Sequence, residues 1–179
     1  MPELPDNPYI TPDPPEKREA FRSFIWSVVR LALVTQRHAP DVTFAYTSTV
    51  LTHTPMYTGG DRMSALYGAH YELATYVQHL LGDEGELEVP VEPARCSSPE
   101  CVVNHESEAV ILEAAVRGDA QVIANVCKAT VRGAQDLDHL GGQSISGEDA
   151  LRYLFFGTLQ RLHQLLAERA TGDGRPSLN

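Results

Sequence analysis

The hydrophobic positions of this chain recur mostly at three- and four-residue intervals, the spacing that places side chains on one face of a helix. From Pro15 to His38 that rhythm is carried by Phe21, Phe24, Ile25, Val28, Leu31 and Ala32. Pro15 at the start and Glu16 in the first turn both suit a helix beginning there, and Pro40 ends it. A second helix is bounded by Asp61 as cap and Gly82 as terminator. Its stripe is Met63, Leu66, His70, Leu73, Val77 and Leu80. Glu72, Tyr76 and His79 share a different face, read as a solvated polar side, and His70 is read as a core histidine held by one hydrogen bond.

From Ser98 to about Gln135 the pattern is again helical, opened by Ser97 or Ser98 with Pro99 and Glu100 behind it. Gly118 followed by Asp119 suits a helix end and a new cap, so a helical hairpin is favoured. One long helix is the alternative, because an isolated glycine costs a helix only about 1 kcal/mol. The last helix starts at a capping box formed by Ser146 and Asp149, and its apolar stripe runs from Leu151 through Leu154, Phe155, Leu159 and Leu162 to Leu166.

Periodicity leaves "DVTFAYTSTVLTHT" (41–54) open. Its Val, Thr, Phe and Tyr content suits a strand, but the only partner would be "ELEVPVEP" (86–93), where Pro90 confines pairing to an edge. A short helix or an extended packing segment is favoured. The expected fold is all-α: a single-domain helical bundle of four to five helices with one minor extended segment at most. Six prolines in the first fifteen residues make 1–15 an extended arm, 16–171 form the bundle, and 172–179 are a flexible polar tail.

Composition narrows the function. At 179 residues and 42% apolar, the chain suits one domain with a real core. A net charge of -10 argues against general nucleic-acid or membrane-surface binding, which needs a basic footprint. No run of eighteen apolar residues is present, and the opening "MPELPDNPYITPDPPEK" does not read as a secretory signal. Three cysteines in such a chain point to a reducing compartment, so a cytoplasmic location is expected. The twelve arginines against two lysines, Lys17 and Lys128, match the output of a GC-rich coding sequence and are not read as chemistry.

Three local constellations carry candidate chemistry. "ARCSSPECVVNHESEA" holds Cys96, Cys101 and His105; the last two fall one turn apart on a helix, and two thiolates with an imidazole suit Zn²⁺. A fourth ligand would come from His139 or Asp136 if the chain turns back at Gly118. Against this stand ordinary buried thiols, and a redox thiol activated at the helix start.

Arg22, Trp26 and Arg30 recur one turn apart. They form either a partner-binding stripe or a packed tryptophan with arginines extending to water. Arg132 and His139 stand in "RGAQDLDH", whose R-x4-6-H spacing resembles that of HEPN-domain ribonucleases, helical bundles that pair Arg and His across a dimer. The resemblance covers eight residues and implies acid–base work at a ribose hydroxyl for His139 and phosphate stabilisation for Arg132. Gly133 stands where the family usually carries a polar residue.

No phosphate-binding glycine loop, G-x-S-x-G, H-E-x-x-H or dinucleotide fingerprint is present. The favoured function is therefore a non-enzymatic interaction module, a regulator, adaptor or assembly subunit that binds a protein partner or itself and needs no cofactor. A zinc protein using Cys96, Cys101 and His105, and a HEPN-like ribonuclease using Arg132 and His139, are the alternatives.

Overall fold

A computed structural model of the chain describes residues 6–10, 15–36, 38–82, 99–141 and 146–172. For residues 40, 81–82, 99–105, 116, 134–135, 137–141 and 169–172 it describes the backbone path alone. The described residues form six helices and no strand. They are α1 (Pro15–Gln36), α2 (Pro40–Leu51), α3 (Arg62–Gly82), α4 (Pro99–Arg117), α5 (Ala120–Gly141) and α6 (Gly147–Gly172), with a 3₁₀ turn at Thr54–Tyr57 before α3. None of the described helices is long and apolar enough to cross a membrane.

Six helices rather than four or five result because most of 41–54 is helical and the stretch from Pro99 divides into two helices, as the favoured hairpin required. In α2 the threonine hydroxyls are absorbed by the helix itself: Thr43 donates to the Ala39 carbonyl, Thr47 to Thr43 and Thr49 to Ala45. Pro40 starts this helix as well as ending α1, since its missing N–H costs nothing in a first turn. Between α4 and α5 the chain breaks at Gly118, whose φ of 71° is a left-handed value that favours glycine. There the Asp119 N–H reaches the Ala114 carbonyl at 2.8 Å and the Gly118 N–H reaches Ala115 at 3.0 Å, closing α4. Asp119 Oδ1 then accepts from the Val122 N–H and caps α5.

The other predicted caps are also present. Asp61 Oδ1 accepts from the N–H groups of Met63 and Ser64. The Ser64 hydroxyl, which donates to Oδ2, does most to hold the Asp61 carboxyl below the usual range, with those N–H groups adding to it. At the start of α6, Ser146 Oγ accepts from the Asp149 N–H at 3.1 Å.

Helices α3, α4, α5 and α6 all pack on one another; α1 lies against α3 and α6, and α2 covers α1 and α6 from outside. Phe21, Ile25, Leu73, Ile111, Leu151 and Phe155 are among the fully buried side chains, each stabilising the fold by about 2–3 kcal/mol. Being central, α3 is buried well beyond its predicted stripe: Glu72, Thr75 and Tyr76 are as enclosed as Leu73 and Val77. The expectation of a solvated face at Glu72 and Tyr76 is thereby corrected. In α1 the buried face turns toward Val29, Ala32 and Leu33, which leaves Leu31, expected in the core, 45% exposed.

His70 is enclosed between α3 and α6. Its Nε2 lies 2.9 Å from the Leu151 carbonyl and its ring meets Phe155 edge-on at 5.4 Å. Burial pushes its pKa down to about 4, so Nε2 carries the proton and donates to that carbonyl.

Candidate functional site

A buried polar cluster joins three elements: the segment 6–10, α1 and α3. At its centre is Glu72, a carboxylate only 1% exposed. Arg22 of α1 donates from Nε to Glu72 Oε2 at 2.9 Å, and Asn7 donates from Nδ2 to Oε1 at 3.0 Å. The same Asn7 amide also donates to the Gly68 carbonyl at 2.9 Å. Burial raises the Glu72 carboxyl above its ordinary value, while Arg22, Asn7 and the Trp26 indole pull it back down. Trp26 Nε1 stops short of full hydrogen-bond geometry, yet its N–H still favours the carboxylate.

Desolvation outweighs the attractions in that balance, so the Arg22–Glu72 pair adds little net stability. Removing one partner is a different matter, because it strands a buried charge at a cost of about 3–5 kcal/mol. The cluster therefore sets which residue of the segment sits over α3.

Around Pro8, which is exposed, the other four residues of segment 6–10 are each held by a different interaction. Asp6 pairs with Arg18 at 2.9 Å, an exposed contact of small worth. Asn7 Oδ1 accepts from the Tyr9 N–H and the Asn7 carbonyl from the Ile10 N–H, which curls the segment into a turn. Tyr9 lies 5.6 Å from the ring of Tyr67 and 6.5 Å from Tyr71, and Ile10 is buried. Gly68 lies directly beneath the segment. A methyl group there would sit 3.3 Å from Phe21 and 3.6 Å from both Asn7 and Ile10.

Both oxygens of Glu72 are taken up, Oε1 by Asn7 and Oε2 by Arg22. Chemically the arrangement is a clamp on a peptide segment.

The sequence-predicted residues are distributed as follows. Arg22 is committed to Glu72; Trp26 is half-buried, 5.2 Å from Tyr76 and 5.3 Å from His79; Arg30 is exposed. Arg132 is exposed on α5, and its charge is felt at Tyr67 of α3, where it opposes the rise that burial imposes on that phenol. His139 lies seven residues further along α5, hence near the same face, with its side chain outside the described residues.

Cys96 also lies outside the described residues, as do the side chains of Cys101 and His105 on α4. The turn at Gly118 brings the 101 end of α4 and the 136–139 end of α5 to the same end of the hairpin. Among the described residues no group of three His, Cys, Asp or Glu side chains is placed to hold a metal ion. Cys127, the thiol that is described, is buried in α5, and desolvation pushes it up to about 12.

Sequence reasoning missed Asn7, Tyr9, Ile10, Tyr67, Gly68 and Tyr71. One signal was available, Gly68 in the middle of an otherwise strong helix, where a glycine costs about 1 kcal/mol relative to alanine and so points to a packing reason. Comparison with protein-family models, with curated proteins and with solved structures found no match to this chain.

Proposed function

We propose that the chain is a helical interaction module that self-associates through the outer face of the α1–α2 hairpin. The observation that carries this reading is the exposure of Val34 and Val42, at 64% and 62%. Each directly precedes one of the two threonines, Thr35 and Thr43, whose hydroxyls meet at 3.2 Å and tie α1 to α2. Leu31, one turn back along α1, extends the apolar surface. Isolated exposed aliphatics are ordinary on a monomer. Three of them on two adjoining helices support the reading of a face that another surface covers.

A second copy is the partner that suits a face of this kind, since self-complementary patches make the commonest symmetric dimers. Two copies at a net charge of -10 each repel, so association through this face strengthens as salt screens that repulsion. Light scattering across a concentration series tests the reading. The expected mass exceeds one chain and rises with both protein and salt, while Val34→Asp with Val42→Asp stays at one chain and keeps the helix content and cooperative melting of a folded protein. A wild-type chain that stays monomeric throughout, or a double variant that associates equally well, overturns it.

A further inference from the structure

The segment 6–10 is bound by α1 and α3 much as a short peptide is bound by a receptor. Asn7 is read by two acceptors, the Gly68 carbonyl and the Glu72 carboxylate. Tyr9 is read by the rings of Tyr67 and Tyr71. Ile10 is buried beside Gly68. Pro8, between them, is exposed. The segment also brings its own turn, through the Asn7 carbonyl and side chain, so little ordering remains to be done on docking.

We propose that this groove is a recognition site for the sequence Asn-Pro-Tyr-Ile, and that a second copy of the chain supplies that segment in exchange with the groove's own. The groove is matched to one sequence, and the chain itself carries it at Asn7–Ile10. None of the contacts above depends on the covalent link between segment and groove, so the same bonds form whichever copy provides it. An empty groove is disfavoured, because Glu72 would lose its Asn7 donor while still buried beside Arg22.

Competition sets the conditions. A tethered segment acts at an effective concentration of roughly millimolar, so exchange becomes measurable when its own tethered copy is disabled or chains are concentrated. This inference goes beyond the α1–α2 reading and uses a different surface. It rests on self-association only for the concentration at which exchange occurs in the intact protein.

The test uses a fluorescent peptide of residues 1–14 and two full-length acceptors, wild type and a variant carrying Asn7→Ala with Ile10→Asp. Fluorescence anisotropy should show saturable capture by the variant, at least tenfold tighter than by wild type, whose own segment competes. A peptide carrying the same two substitutions should bind the variant at least tenfold more weakly than the native peptide. No saturable capture by a folded variant, or equal capture of both peptides, overturns the proposal.

Should the variant fail to fold, the decision passes to a full chain in which Tyr9 is replaced by photoreactive p-benzoylphenylalanine. Heavy- and light-isotope copies are mixed and irradiated. Heavy–light products joining position 9 to α3 should increase with concentration, and products confined to one isotope at every concentration overturn it. Peptide capture and heavy–light products, found together with a Val34→Asp, Val42→Asp variant that associates as well as wild type, would sink the α1–α2 reading alone. A wild type that stays strictly monomeric and gives no heavy–light product overturns the exchange, so the two failures are distinguishable.

Discussion

His70 makes the stability of this protein acid-sensitive over a window that its structure specifies. The imidazole is fully enclosed, its Nε2–H donates to Leu151, and Nδ1 is buried with no hydrogen-bond partner. A second proton would have to sit on Nδ1, unpaired and away from water. The folded-state pKa is accordingly about 4, against an ordinary 6.5.

The direction follows from which state takes the proton first. The unfolded chain protonates near 6.5 and the native chain only near 4, so falling pH favours unfolding through that window and the effect levels off below it. The difference amounts to about 3 kcal/mol in total, of which about 2 kcal/mol is lost by pH 5.

Replacing His70 with Met isolates this contribution. The variant gives up the hydrogen bond to Leu151, at a cost of about 1 kcal/mol at pH 7, but has nothing to protonate. Urea unfolding of both proteins at pH 7, 6 and 5 should show wild type ahead at pH 7 and the variant level or ahead at pH 5. Parallel losses in the two proteins would refute the reasoning. So would an NMR titration in which the His70 ring protonates in the native state above pH 6.

Two further outcomes rest on other buried groups. A methyl group at Gly157 of α6 would overlap the carboxylate of the buried Glu108 on α4 and sit 2.5 Å from its carboxyl carbon, so Gly157→Ala should destabilise by about 2–3 kcal/mol. In a double-mutant cycle, Glu108→Ala should cost less in that background than in wild type, and strictly additive effects would contradict the overlap. Cys127, buried and with its pKa near 12, should resist a thiol reagent at pH 8 in a chain carrying Cys96→Ser and Cys101→Ser. Full labelling within minutes, before any unfolding by urea, would contradict its placement.

The parts of the fold legible in the sequence are those whose chemistry is local. The helix breaks at Asp61, Gly118–Asp119 and Ser146 were all readable, because each cap satisfies backbone groups within a few residues of itself. His70 was likewise readable as a core histidine from its place in an apolar stripe. Segment 41–54 was harder, because β-branched residues favour a strand until their hydroxyls find carbonyls one turn back.

The candidate site was largely hidden. Glu72 and Arg22 are fifty residues apart in the chain, and Asn7 and Glu72 are sixty-five apart. No periodic pattern reports a pairing over such distances. The Arg22–Trp26–Arg30 stripe was visible as a spacing, but whether its guanidinium groups faced a partner or a buried carboxylate depended on what stood opposite.

Sequence alone thus determined the all-helical class and most of the helix ends, since propensity, capping and turn chemistry act within a few residues. Tertiary structure decided which faces meet. Helix α3 is surrounded by neighbours, so its polar side is buried and Glu72 must be paired; α1 is rotated so that Leu31 stays outside. Burial is a property of the whole assembly, and a residue's own neighbours in the chain do not contain it.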